Sequence, residues 1–301
     1  MNETASQGII ENADGVTKIV EAAMANTTNP RLKQILLALV KHSHAFLREV
    51  RLTDQEFEQG HAFLKDVGQA CNDLHNEVVL LADVLGISTL VTLLNNSDTN
   101  GRTSGALLGP FFRGGAAQFE NGADIAAEGS PGKPLFVRAK VLNTRREPLV
   151  NAQVNVWQAS PIGLYENQDP DQPEMNLRGE FRTDENGEFY FRSVRPSGYP
   201  VPTHGPVGPL LAAQKRHPYR PAHIHFVVIA EGYATLVTQV FADDSDHLNS
   251  DVAFGVTRDL VGRFELRETG APQPVEGSFY TLDYEFVLAE GTPTYPVPPI
   301  K

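Results

Sequence analysis

The chain has 301 residues, enough for one large domain or two smaller ones, and its 41% hydrophobic and 21% charged composition is that of an ordinary soluble globular protein. A net charge of −12 disfavours nucleic acid or an anionic membrane surface as the main partner. The single cysteine, Cys71, excludes an intrachain disulfide framework and any multi-cysteine metal cluster, and its place in a helical pattern makes it a packing residue.

The opening Met1-Asn-Glu-Thr-Ala-Ser6 lacks a basic segment followed by an apolar run, so no signal peptide is read there. No stretch approaches about eighteen consecutive apolar residues, so no membrane span is expected and a cytoplasmic location is the default. From about Asp14 to Leu94 the periodicity is helical. Asn29-Pro30 opens a long amphipathic stretch in which Leu32, Ile35, Leu36, Leu39 and Val40 recur at three- and four-residue steps. Thr53-Asp-Gln-Glu56 predicts a capping box, since Thr53 and Glu56 can satisfy each other's free backbone N–H groups. The helix it opens carries Phe57, His61, Leu64, Val67 and Cys71 and closes near Asn72-Asp73. Another runs through Val78, Val79, Leu81, Ala82 and Leu85 and stops at Gly86.

After Asn95-Asn-Ser97 the texture changes: Gly and Pro become dense, and short β-branched runs alternate with turn signals. Predicted strands are Pro134–Asn143, Gln153–Gln158, Glu188–Val194, His223–Ile229, Thr235–Phe241 and Phe279–Val287. Asp184-Glu-Asn-Gly187, between Phe181-Arg-Thr183 and Phe189-Tyr-Phe191, predicts a hairpin. The fold class is therefore mainly β with an α-helical N-terminal region. Residues 1–100 form the helical part and 101–301 a β-sandwich catalytic domain with its chemistry on loops and strand ends. The proline-rich tail Pro293–Pro299 reads as an extended strap over the surface or a partner chain.

The most informative segment is Arg220-Pro-Ala-His-Ile-His-Phe226. It leads into Val227, Val228 and Ile229 and reads as a buried strand, on which His223 and His225 project from the same face. Two imidazoles on one rigid face make a metal chelate, although a single such histidine is as readily a satisfied core residue. Other candidates accompany the pair: Tyr165 where a strand runs into a loop, Tyr199 in a proline-rich loop, Arg220 three residues before His223, and Gln239 on the next predicted strand.

Together these segments resemble the intradiol ring-cleaving dioxygenases, non-haem iron(III) enzymes that open catechols between the two hydroxyls. The resemblance covers nearly the whole chain. It runs through Glu77-Val-Val-Leu-Leu-Ala-Asp-Val-Leu-Gly86, Leu108-Gly-Pro-Phe-Phe112, Asn155-Val-Trp-Gln158, Gly187-Glu-Phe-Tyr-Phe-Arg192, Gly198-Tyr-Pro-Val-Pro202 and Arg220-Pro-Ala-His-Ile-His225. It implies that Tyr165, Tyr199, His223 and His225 bind Fe(III), a hard ion that two phenolates stabilise over Fe(II). It further implies that Tyr199 is the ligand that leaves and takes a substrate proton. Arg220 would stabilise developing negative charge and Gln239 would position the ring. The partners implied are an aromatic diol or triol and O2, a second copy of the chain bound through the N-terminal helices, and a phospholipid held at that interface.

Within the family, Tyr199-Pro-Val-Pro-Thr-His-Gly-Pro-Val-Gly208, Phe254-Gly-Val256 and Asp83 resemble the hydroxyquinol (benzene-1,2,4-triol) 1,2-dioxygenases, with His204 standing where relatives commonly carry Asp. A third ring hydroxyl needs a buried polar partner. Asp83 is the candidate, its alternative role being a cap or surface acid at the helix end. Leu80, Gly109, Pro110, Phe111, Val201 and Pro202, with Arg220 and Gln239, are expected to line the substrate site. His204, His217 and His247 lie among loop residues and read as solvated or hydrogen-bonded. Asp243-Asp-Ser-Asp246 lacks the ligand series of a calcium loop. The competing readings are a catechol or chlorocatechol 1,2-dioxygenase, and a non-enzymatic β-sandwich binding protein that holds a structural metal.

Overall fold

A computed structural model describes residues 8–96 and 101–300. The six opening residues read for a leader, and Ser97 of the stretch at which the texture changes, lie outside the described residues. The chain forms two compact units, one ending at Leu64 and the other beginning at Lys65.

The first unit holds α1 (Val16–Ala23), α2 (Pro30–Val50) and the start of α3 (Asp54–Gln69). Asn29 caps α2 by accepting from the Leu32 N–H at 3.0 Å, and Pro30 supplies the first turn, where its missing N–H costs nothing. The capping box before α3 forms as read: the Thr53 N–H and hydroxyl both donate to Glu56 at 2.8 Å, and the Glu56 N–H returns to Thr53 Oγ1. No residue of α2 is buried, and Leu32, Ile35, Leu39 and Phe46 along its apolar stripe are exposed.

The second unit is built on two sheets. Strands β1 (Pro134–Asn143), β2 (Gln153–Gln158), β3 (Arg178–Arg182), β4 (Glu188–Val194), β5 (Tyr199–Pro200), β6 (Tyr219–Arg220), β7 (His223–Ile229), β8 (Leu236–Ala242), β9 (Val261–Gly262), β10 (Glu265–Arg267) and β11 (Phe279–Leu288) are arranged in a mixed pattern. One sheet has the order β10-β11-β1-β4, the other β3-β2-β7-β8-β9, and β5 pairs with β6 alone. The main core lies between the sheets. Leu135, Val137, Ala139 and Val141 of β1 meet Val154 and Val156 of β2 and Ile224, Phe226 and Val228 of β7, each set spaced by two residues.

That alternation decides where the histidines go. A one-residue slip of β7 would turn Ile224, Phe226 and Val228 out of the core, at about 1.5–3 kcal/mol each. His223, His225 and Val227 are therefore held on the outer face of the five-stranded sheet. Phe111, Phe112, Trp157, Tyr165 and Tyr199 bury that face in a second apolar cluster.

The Asp184–Gly187 segment corrects the hairpin expectation. The turn forms, with the Gly187 N–H on Asp184 O at 3.0 Å and the Asp184 N–H on Glu188 O at 2.8 Å. The flanking strands then part: β3 pairs with β2 and β4 with β1, in different sheets. Core packing drives the divergence, because Phe181 and Phe191 stack at 5.3 Å between the sheets and Phe189 lies alongside.

Helices α4 (Glu77–Val84) and α5 (Ile87–Asn95) belong to the sheet-containing unit, joined by Gly86 at φ +70°. A further helix, α6 (Val207–Ala213), falls where Gly208 and Pro209 suggest a loop. Pro209 sits in its first turn, where no intrahelical donor is lost, and the buried Glu77 carboxylate accepts from the Val207 N–H at 2.8 Å. Cys71 is partly buried, its thiol turned to the Val67 carbonyl at 3.5 Å. The tail is tied down by Thr294 on Thr235 and by the Tyr295 hydroxyl on Asn155. No single helix among the described residues is long and apolar enough to cross a membrane; α4 and α5 pass such a test only as a pair bent by 76°, with Glu77 and Asp83 buried.

Candidate active site

Strand register assembles most of the site. Trp157 of β2, His225 of β7 and Gln239 of β8 are direct neighbours across three adjacent strands, and His223 faces Phe241 one step along. The short β5–β6 ladder sets Tyr199 opposite Arg220. Gly198 permits this approach, since a Cβ there would stand 2.8 Å from the Arg220 carbonyl. Tyr165 arrives from the loop after β2, its ring stacked on Phe111 at 4.6 Å and edge-on to Tyr199 at 5.4 Å.

Four donor atoms converge. Tyr165 Oη lies 3.3 Å from Tyr199 Oη and 3.0 Å from His225 Nε2, which is 3.1 Å from His223 Nε2. All four side chains are buried. His223 Nδ1 is 2.7 Å from the Pro221 carbonyl, which can only accept, so Nδ1 carries the hydrogen and Nε2 is bare. His225 Nδ1 lies 3.3 Å from the Gln239 amide nitrogen, beside the Leu107 carbonyl.

Burial pushes both phenols up, Tyr165 the further, with Tyr199 beside it adding to the effect. Burial also lowers both imidazoles, His223 to about 3 with Arg220 contributing, and His225 well below its usual range. The two imidazole Nε2 atoms stand 3.1 Å apart, a spacing that a shared metal cation satisfies. Donors about 2.1 Å from a common ion and roughly 90–100° apart stand about 3.0–3.2 Å from one another, which is the spacing found here. The His223 Nδ1–H is spent on the Pro221 carbonyl, the arrangement that orients metal-bound histidines. The residues therefore fit a metal ion. Among the described residues no three His, Cys, Asp or Glu side chains gather to hold one, so this set depends on its phenols.

Arg220 stands beside the four, Nη1 3.4 Å from His223 Nε2. Burial opposes its charge, yet the Asp251 carboxylate and the two phenol oxygens hold its pKa above the ordinary value. Gln239 is fully buried, its oxygen accepting from Arg220 Nη2 at 3.0 Å and its nitrogen donating to Leu107 O at 2.7 Å. Gly109, at φ +74°, lets its loop approach His225; a Cβ there would stand 3.4 Å from the ring. Asp83 is buried, and burial raises its pKa to about 6 against the pull of Ser88 and Arg220. Leu80 and Val201 pack together in a cluster with Val84 and Val252, while Pro110 and Pro202 are half-buried beside their neighbours in the chain. His204 is exposed, its ring 5.0 Å from that of His75, and His217 and His247 lie against each other at 4.3 Å.

Sequence reasoning missed Asp251, which grips Arg220 through both carboxylate oxygens. It also missed Glu166, which accepts from Arg178 and Arg113 at 2.8 and 2.9 Å directly after Tyr165. No periodicity links Asp251 to Arg220. The signal available was chemical: a buried guanidinium requires a carboxylate.

A family model described as "Dioxygenase" matches residues 107–290, and one described as "Catechol dioxygenase N terminus" matches 29–103. A hydroxyquinol 1,2-dioxygenase of Rhizobium sp. is 39% identical over 295 residues, 96% of this chain and 99% of that one. A catechol 1,2-dioxygenase of Candida albicans is 39% identical over 276 residues, 91% of each chain. The crystal structure of hydroxyquinol 1,2-dioxygenase from Pseudomonas putida DLL-E4 superposes with a TM-score of 0.86 at 38% identity, covering 93% of this chain and 99% of that one. With the helical segment, the sheet-rich domain and the buried tyrosine–histidine cluster in place, the chain belongs to the intradiol ring-cleavage dioxygenase family.

Proposed function

We propose that Tyr165, Tyr199, His223 and His225 hold a ferric ion. We propose that the enzyme uses O2 to cleave hydroxyquinol between its adjacent hydroxyls, giving 3-hydroxy-cis,cis-muconate, the enol form of maleylacetate. The family uses non-haem iron. The observation that carries the ligand assignment is the convergence of two phenol oxygens and two imidazole nitrogens at 3.0–3.3 Å. Bound there, ferric iron supplies the Lewis acidity and electron exchange through which a chelated diol and O2 react.

The chain's own residues do the rest. Kept deprotonated before substrate arrives with the help of the neighbouring Arg220 guanidinium, Tyr199 Oη takes a proton from one substrate hydroxyl. Arg220 Nη1 faces the ligands and opposes negative charge as it builds on the ring oxygens. Gln239 holds the guanidinium and the Leu107 loop in one arrangement. Phe111 covers Tyr165, and Leu80 and Val201 wall the apolar side. Water is thereby kept from the reacting groups. Asp83 receives the third hydroxyl; its burial and raised pKa support this, since a neutral or ionised carboxyl can accept that hydrogen bond without facing solvent.

Catechol is the second reading, favoured by the Candida albicans relative at 39% identity. Turnover on hydroxyquinol, catechol and 4-chlorocatechol, with ultraviolet identification of the products, separates them. Hydroxyquinol is expected to have the highest kcat/KM. A preference for catechol overturns the substrate assignment, and inertness toward every vicinal diol overturns the site. The N-terminal helices pair two copies of the chain, supported by the exposed apolar stripe of α2.

A further inference from the structure

Building on that reading, in which Arg220 acts at the substrate, we propose that Asp251 is a positioning residue that aims the Arg220 guanidinium into the site. The pair is a two-point fork: Nε donates to Oδ1 and Nη2 to Oδ2, both at 3.0 Å, with both side chains buried. Nη2 also donates to Gln239. Two of the three guanidinium nitrogens are thus engaged on the far side, and Nη1 is the one turned to His223. A single charge partner would let so flexible a side chain swing, whereas a fork fixes both its plane and its direction.

The carboxylate is itself immobilised. Oδ1 accepts from the Ala253 N–H at 3.2 Å and Oδ2 from the Gly255 N–H at 2.9 Å, so each oxygen has one backbone and one guanidinium partner. Gly255 must be bare, because a Cβ there would stand 2.8 Å from Nη2 and 3.2 Å from Oδ2. The loop carrying these residues is fastened to the helical layer. Thr89 Oγ1 donates to Ala253 O at 3.1 Å, and Arg216 bridges the Val84 and Val252 carbonyls while lying over the Phe254 ring at 4.8 Å.

Arg220 and Asp251 together bring no net charge to the pocket, so Arg220 acts as an oriented donor and leaves the charge balance among metal, phenolates and substrate undisturbed. A lone buried arginine would shift that balance before substrate arrives.

The test is a set of variants: Asp251→Asn, Gly255→Ala, Arg220→Gln, and each of the first two combined with Arg220→Gln. Iron content, visible absorption, anaerobic substrate affinity and kcat are measured for each. Asp251→Asn and Gly255→Ala are expected to keep iron and colour and to lower kcat about tenfold or more. In the Arg220→Gln background each is expected to change kcat by no more than about twofold, because its effect runs through a group already gone. Additive losses overturn the proposal, as does a wild-type rate in both single variants while Arg220→Gln is crippled. A fully active Arg220→Gln overturns the underlying assignment of Arg220 together with the proposal, a different outcome from the others. If Asp251→Asn does not fold, Gly255→Ala decides alone: it keeps the carboxylate and crowds the guanidinium most, at 2.8 Å against 3.2 Å for Oδ2.

Discussion

Trp157 lies flat against His225, ring centroids 4.5 Å apart and planes 12° apart, with Phe112 packed on the indole at 4.8 Å. The stack follows from register, since the two residues face each other across β2 and β7. It holds the imidazole edge-on to Tyr165 and His223, a role the sequence motif alone does not disclose.

Replacing Trp157 by Ala removes that wall and leaves a cavity costing about 3–5 kcal/mol. Urea unfolding and iron per chain after dialysis are both expected to fall. Trp157→Phe keeps a flat ring and removes an indole N–H that has no partner among the described residues, so its cost is expected to be well under that of Ala. An Ala variant with unchanged stability and iron content contradicts the role.

Tyr199→Phe removes one phenolate and the proposed proton acceptor while sparing Tyr165, His223 and His225. Iron is expected to remain bound with altered colour, and kcat to fall by about 10²-fold or more. Normal iron with full ring-cleaving turnover would rule out the proton role of Tyr199.

Asp83 gives a pH prediction with a defined sign. Its folded pKa, near 6, lies above the ordinary carboxyl value of 3.8 because burial disfavours the charge. The stability this contributes is full below the unfolded pKa and disappears as pH rises through about 6. Asp83→Asn abolishes that titration, so its advantage over the wild type is expected to grow from about pH 4 to pH 6 and then level off. The gain above pH 6 is on the order of 2–3 kcal/mol. The same variant is expected to lose discrimination between hydroxyquinol and catechol. Thermal unfolding across pH and paired kcat/KM values check both statements, and an unchanged substrate ratio removes Asp83 from the substrate site.

The stripe through Ile35, Leu39 and Phe46 of α2 is expected to be covered by a second copy of the chain. Light scattering at micromolar concentration should give twice the mass of one chain, and Leu39→Glu should give a single chain. A monomeric wild type contradicts the interface.

How much of this was legible beforehand follows from the range over which each feature is encoded. Periodicity of two located the strands that carry Trp157, His223 and His225, because one face of each is committed to the core. The capping residues Asn29, Thr53 and Glu56 and the Gly86 break were readable for the same local reason. Helix α6 was not, because its stability depends on Glu77, 130 residues away. The Asp184–Gly187 turn was legible but its strand pairing was not, since turn chemistry is local while the choice of sheet rests on Phe181 and Phe191 meeting in the core. Asp251 escaped notice because nothing along the chain ties it to Arg220; only burial makes the pair necessary.

Ligation of ferric iron by the two tyrosines is tested by the visible absorption of the purified chain loaded with one ferric ion, compared with Tyr165→Phe and Tyr199→Phe. A red protein is expected, whose tyrosinate-to-iron band changes in each variant and shifts when hydroxyquinol is added without O2. A protein that binds iron with no such band, or whose band is indifferent to both substitutions, contradicts that ligation.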